Sequence, residues 1–393
     1  MSDPVPLWLD CDPGHDDAFA ILLAAYHPGI KLLGISTVHG NASLEKTTNN
    51  ALSLLAAIGK HKEVTVHPGA AHALVHRQSI HAPTDIHGES GLDGTALLPA
   101  PRSAASPVPA VDAMAAALSA TAPGTAWMVA TGALTNAAAL FQAHPALAGH
   151  VRGLSAMGGA VGGGFTAAPL GQVAGVDRVG NWTQWAEFNV LIDPEAAAFL
   201  LGHPVLAPKT TIVPLDLTHL VLATSEVQDL LLHGPRSGPE GAGDKKREGR
   251  GKSDLRVMLV ELLNFFAGTY RDVFGIVEGP PLHDPLAVAA ALAGTPWEIP
   301  FYDFDPKAVP PAAPGQRPER ERFAVEVVTE GTLEDAFRGA QTGRTIVRKL
   351  EGGAAAEGVR IPRGLDIALF WKVIEECCER ADAANAKIAS EGS

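Results

Sequence analysis

The 393-residue chain has only three cysteines, Cys11, Cys377 and Cys378. Two are adjacent and none has a C-x-x-C spacing, which argues against both a disulfide framework and a thiolate zinc site. Basic residues are also scarce: 30 Lys and Arg stand against 43 Asp and Glu, a formal net charge of −13. Nucleic acid and anionic membrane are therefore not expected partners. No apolar run is long enough to span a bilayer. The first residues lack the basic and apolar regions of a secretory signal, so a cytoplasmic protein is expected. Also missing are G-x-S-x-G, G-x-x-x-x-G-K and H-E-x-x-H, and the Gly158 to Gly164 run lacks G-x-G-x-x-G. These absences disfavour a serine hydrolase, a P-loop NTPase, a zincin and a dinucleotide-binding enzyme.

What the chain has is core-forming material, with 46% hydrophobic residues and 19% charged. That is enough for a large folded core. Strand-like runs at Val5 to Leu9, Lys31 to Val38, Val64 to Val66, Ala126 to Ala130 and Val151 to Met157 alternate with helix-like runs. The helical runs are Ala18 to Ala25, Leu44 to Ile58, Ala110 to Ala120 and Asn136 to Gln142. This rhythm predicts an α/β fold with a doubly wound, mostly parallel sheet. Function in such a sheet gathers at the carboxyl ends of the strands. We read residues 1–393 as one domain. It carries a polar Gly/Lys/Arg-rich loop insertion at 233–253, a long amphipathic helix at 254–274 and a polar, Pro-rich stretch at 305–322. A strand at 323–328 and a C-terminal helix at about 365–387 complete it.

The densest chemical signal is Asp10-Cys11-Asp12-Pro13-Gly14-His15-Asp16-Asp17. Four carboxylates this close repel one another unless a cation neutralises them or some are protonated. One or two Asp residues would cap a helix; four exceed that need. An all-oxygen set favours a hard cation, Ca²⁺ or Mg²⁺.

DxDPGxDDA resembles the N-terminal motif of the inosine–uridine preferring nucleoside hydrolases. Further motifs follow in family order: Thr37-Val38-His39-Gly40-Asn41, Thr131-Gly132-Ala133-Leu134-Thr135-Asn136, Met157-Gly158-Gly159, Ala186-Glu187-Phe188-Asn189 with Asp193-Pro194-Glu195-Ala196, and His283-Asp284-Pro285. The resemblance implies the nucleoside hydrolase fold, which is Rossmann-like. It implies hydrolysis of ribonucleosides to free base and ribose in nucleoside salvage, and assembly as a homodimer or homotetramer. It implies a Ca²⁺ site of Asp12, Asp17, Asp284 and the Thr131 carbonyl. Asp12 would act as base on a Ca²⁺-held water. Asp10 would support Asp12 or the helix turn. Asp16, Asn41, Glu187 and Asn189 would hold ribose hydroxyls, with Asp284 and Met157 also contacting substrate. His283 would protonate the leaving base, and His87 would lie near it, either as a second proton donor or as a turn stabiliser.

Phe266, Tyr270 and Phe274 share one helical face. They either close over the base or form ordinary core. Trp182 and Trp185 either stack on a base or merely pack. The preferred base, uridine or another pyrimidine or inosine, stays open. Two departures from the family pattern are Ala133, where Pro is common, and His39 in place of a small residue. Other readings are a catalytically silent Ca²⁺-dependent nucleoside binder and a metal-dependent phosphohydrolase with an aspartyl nucleophile. Gly14 sits badly with the latter.

Overall fold

The computed structural model describes residues 3–75, 87–173, 175–236, 249–304 and 320–391. Most of the polar insertion (237–248) and of the Pro-rich stretch (305–319) lies outside the described residues.

Six parallel strands form the central sheet: β1 (Val5–Cys11), β2 (Ile30–Thr37), β3 (Val66–Pro68), β4 (Trp127–Ala130), β5 (Gly153–Met157) and β6 (Thr210–Val213). Their spatial order is β3-β2-β1-β4-β5-β6. β1 therefore runs through the middle, with Asp10 paired to Ser36 on one side and Ala130 on the other. Successive strand side chains point to opposite faces. Leu7, Leu9 and Cys11 accordingly join one apolar cluster and Trp8 the other. Both faces are buried, which is why the strands read as continuous apolar runs rather than alternating ones.

Helices cover both faces. Those that position the site are α1 (Asp17–Tyr26), α2 (Leu44–Ala57), α3 (Ala110–Ser119), α4 (Thr135–Ala143), α5 (Phe188–Ile192), α6 (Pro194–Leu201), α7 (Leu215–Thr218), α8 (Asp254–Phe274), α9 (Asp284–Ala290) and α10 (Ile367–Glu391). The expected strands and helices are present within a few residues of their expected bounds. β6, α5, α6 and α7 are additional. β6 is only Thr-Thr-Ile-Val, too short to show a period of its own.

Helix α8 spans the residues expected for it. Ser253 caps it by accepting from Arg256 N at 3.2 Å. The fully buried Arg256 then binds Glu375 at 3.0 Å and Asp382 at 2.6 Å on α10. A buried guanidinium needs such partners, since an unpaired one would be strongly destabilising. The pairing fixes where α8 presents its aromatic face. Outside the main sheet, β7 (Phe323–Val327) and β8 (Thr345–Lys349) form an antiparallel hairpin. Thr345 at its base donates to the Ala160 carbonyl at 2.5 Å, bracing the turn after β5. No helix of the described residues is long and apolar enough to cross a membrane.

Candidate active site

The chain leaves each of the central strands at the same edge, and there it deposits the acidic and polar residues. Asp12, Asp16 and Asp17 follow β1, Asn41 follows β2, Thr131 follows β4 and Met157 ends β5. Asp16, Asn41, His87, Thr131, Met157, Glu187, Asn189, Phe266, Tyr270, His283 and Asp284 line one cleft with an empty volume of about 550 Å³. Asn181, Trp182 and Phe188 complete its wall.

Asp16, Asp17 and Asp284 bring carboxylate oxygens within 4.8 Å of one another, and all three are buried. Asp17 and Asp284 sit in the first turns of α1 and α9, where the helix dipole favours negative charge. Asp17 also accepts from Gly14 N at 2.9 Å and from the Thr131 hydroxyl at 2.8 Å. Burial, then the neighbouring Asp16 charge, pushes the Asp17 carboxyl up to about 7 and Asp284 well above its usual range. Asp16 is pushed up to about 6, chiefly by burial. Without an added positive charge, this group resists full ionisation.

Asp12 is fully buried, and its Oδ2 accepts from Asn41 N at 2.8 Å. Its Oδ1 is buried with no hydrogen-bond partner among the described residues. An orphaned carboxylate oxygen is costly unless something outside the polypeptide meets it. Burial and the Asp17 charge push Asp12 well upward as well. Two glycines make room for this side chain: a Cβ at Gly40 would collide with Oδ2 and one at Gly132 with Oδ1. The buried all-oxygen set and the orphaned atom fit a hard divalent cation. Asp16 is thus part of the tight cluster, whereas Asp12 stands next to it. Asp10 binds Ser36 at 2.5 Å and Asn136 at 2.8 Å, tying β1 to β2 and α4.

Glu187 caps α5 by accepting from Asn189 N at 2.9 Å and Val190 N at 3.1 Å. It also accepts from Gly159 N at 2.8 Å in the turn after β5. Burial lifts its carboxyl to about 7. Asn189 donates through Nδ2 to the Thr131 carbonyl at 2.9 Å and to the Met157 carbonyl at 3.3 Å. The carbonyl expected to face the cation is therefore oriented by Asn189, with a second lone pair still available.

On the other wall, His283 lies with Nε2 2.7 Å from the Tyr270 hydroxyl and Nδ1 2.7 Å from the Thr218 hydroxyl. Although His283 precedes α9, its side chain makes no cap bond to that helix. Burial pushes its pKa well below the usual value, and Tyr270 is pushed well above its own. Phe266 and Tyr270 line the cleft. Phe274 faces an adjoining depression, where the Arg178 guanidinium lies 5.2 Å from its ring centroid. The aromatic face thus serves both cleft and core. Trp182 faces the cleft and packs edge-on to Phe188 at 5.0 Å, whereas Trp185 lies under Arg344 at 4.5 Å. His39 bonds the Ala70 carbonyl at 3.2 Å.

The His87 ring reaches the Asp-rich turn: its Nδ1 lies 2.9 Å from Nδ1 of His15. Thr218, Asn181 and His15 are members of this site that sequence reasoning passed over. His15 stands inside the Asp-rich motif, but nothing local shows that it reaches a residue 72 positions away. Thr218 sits in Leu215-Asp216-Leu217-Thr218, a one-turn helix with no chemical signature.

The model of the inosine–uridine preferring nucleoside hydrolase family matches residues 7–372. The chain is 38% identical over 381 residues to a uridine nucleosidase of Saccharomyces cerevisiae, covering 96% of this chain and 97% of the relative. It is 37% identical over 287 residues to a pyrimidine-specific ribonucleoside hydrolase of Shewanella woodyi, covering 72% and 78%. In fold it is similar to a purine-preferring ribonucleoside hydrolase from Gardnerella vaginalis, with a TM-score of 0.70 at 24% identity over 96% and 99% of the two chains. A plant nucleoside hydrolase gives a TM-score of 0.69 at 23% identity, covering 96% and 99%.

Proposed function

Since the chain belongs to the inosine–uridine preferring nucleoside hydrolase family and is a ribonucleoside hydrolase, we propose that it cleaves pyrimidine ribonucleosides, uridine foremost, with Asp12 as base and the Tyr270–His283 pair as acid. The carrying observation is the placement of the buried carboxylate cluster and that pair on one 550 Å³ cleft. The full-length relative with uridine nucleosidase as its name supports uridine.

Asp12, Asp17, Asp284 and the Thr131 carbonyl would hold the cation, which we propose to be Ca²⁺; Asp16 is close enough to join them. When bound, it would supply positive charge that lets the carboxylates ionise together, polarises a water and favours a cis-diol. Asp12 Oδ1, without a hydrogen-bond partner among the described residues, takes the proton from the attacking water. Asp16, Asn41, Glu187 and Asn189 hold ribose hydroxyls. Their carboxylates also favour the positive charge that builds at the anomeric carbon in an oxocarbenium-like transition state. Water attacks that carbon directly, with no covalent glycosyl-enzyme.

The base leaves poorly as an anion and well once protonated. The Tyr270–His283 hydrogen bond lies on the cleft wall, where it can pass a proton to the leaving base. Thr218 holds the other ring nitrogen. Free base and ribose suit nucleoside salvage in the cytosol. We also propose a homodimer or homotetramer, which sedimentation would check.

The test is reducing-sugar release from uridine, cytidine, inosine, adenosine and 2′-deoxyuridine, with and without a chelator. Chelator-sensitive release, fastest from uridine and slight from the deoxy analogue, is expected. Equal release with and without chelator would reject the cation's role. Binding without any release would favour a silent binder.

A further inference from the structure

His15 follows the Pro13-Gly14 turn and is fully buried. Its ring stacks on Phe265 at 5.0 Å with planes 8° apart, and meets Phe266 edge-on at 5.7 Å. Its Nε2 lies 2.7 Å from the Asp93 carbonyl oxygen, and its Nδ1 lies 2.9 Å from Nδ1 of His87.

The partners determine the protons. A backbone carbonyl only accepts, so Nε2 of His15 carries hydrogen. In a neutral ring Nδ1 then bears the lone pair. His87 must donate from its own Nδ1, which leaves the lone pair of neutral His87 on Nε2. Two ring nitrogens 2.9 Å apart share a single hydrogen, and both rings are buried, which disfavours a charged imidazolium.

The loop carrying both partners is itself closed. Asp93 N donates to the His87 carbonyl at 3.1 Å, and the Asp93 carboxylate accepts from Glu89 N at 2.7 Å. Gly88, at φ +74°, makes that closure; a Cβ there would meet the Asp93 carboxylate. Asn50 bridges the two chain segments, donating to the Pro13 carbonyl at 3.1 Å and the Ser90 carbonyl at 2.9 Å.

We propose that His15 is a positioning residue that locks His87 in the Nδ1–H tautomer. Nε2 of His87 is thereby presented as a hydrogen-bond acceptor for an N–H or O–H of the nucleoside in the cleft. The proposal rests on the nucleoside reading of that cleft for its ligand, but not for its tautomer.

Two variants separate hydrogen bonding from packing. His15→Phe keeps a flat ring against Phe265 but offers no acceptor. His15→Gln loses the stacking but keeps one donor and one acceptor. The readout is the ring ¹⁵N spectrum of histidine-labelled protein, with the His87 signals identified by their loss in His87→Gln. Wild type is expected to show the Nδ1–H form of His87, and His15→Phe a mixture or the Nε2–H form. For uridine, kcat/KM is expected to fall about tenfold in His15→Phe, the scale of one lost hydrogen bond, and His15→Gln to recover most of that loss. Wild-type His87 in the Nε2–H form, or an unchanged tautomer in folded His15→Phe, would overturn the proposal. So would a His15→Gln variant as impaired as His15→Phe. The spectra need no turnover: the expected tautomer in a protein that hydrolyses no nucleoside would place the failure in the cleft reading.

Discussion

The Tyr270 hydroxyl lies 2.7 Å from Nε2 of His283, and the two residues come from different elements, α8 and the entrance to α9. Both ring nitrogens of His283 are occupied by hydroxyls. A proton leaving the ring on the Nε2 side therefore meets Tyr270 first. The acid is better described as a pair than as a lone histidine.

Replacing His283 with Ala, or Tyr270 with Phe, is expected to lower kcat for uridine by about 10²–10⁴-fold, the range of general acid catalysis. Nitrophenyl riboside, whose leaving group needs no proton, should lose much less. Steady-state kinetics on both substrates checks this; equal losses would reject the acid role.

Asp12→Asn keeps the side-chain size and the acceptor for Asn41 N. It removes the group that takes a proton. Turnover of uridine is expected to fall about 10²–10⁴-fold, with a smaller change in KM. Near-normal turnover would refute the assignment of Asp12 as base.

Buried carboxylates that repel one another should make a cation stabilising. Calcium at 100 times its Kd is expected to add about 2.7 kcal/mol to the unfolding free energy, read as a rise in Tm over the chelated protein. Asp284→Asn should shrink the rise sharply. A Tm indifferent to calcium and magnesium would contradict the cation site.

His27 is far from this chemistry and gives a separate pH test. Burial, then the Arg380 charge, lowers its pKa from 6.5 to about 4, against an opposing pull from Glu376. The unfolded chain then binds more protons between those values, so the contribution of His27 is complete above pH 6.5. It is lost as pH falls toward 4. Its Nδ1 accepts from Gly29 N at 3.1 Å, which His27→Asn can imitate. Urea unfolding from pH 4 to 7 should show a shallower acid decline for that variant.

Sequence patterning located β1, β2, β4 and the long helix α8 because each carries a continuous apolar run or a clear helical period. It passed over β6, where four residues carry no period, and α5, whose cap Glu187 reads in sequence only as a substrate residue. The Asp cluster was legible because like charges so close together demand an explanation. That Asp16 rather than Asp12 shares the closest oxygens with Asp17 and Asp284 was not, since it depends on how Pro13-Gly14 turns.

By itself, then, the sequence determined the residue types, the alternating strand and helix rhythm, and the motifs that mark the family. Those are properties of local spacing and of order along the chain. The tertiary structure alone decided that Tyr270 and Thr218 flank His283, that Asn189 orients the Thr131 carbonyl, and that His15 meets His87. Hydrogen bonds act over about 3 Å, while their partners here stand 13, 65, 58 and 72 residues apart. Only the packing of helices on the sheet closes those distances.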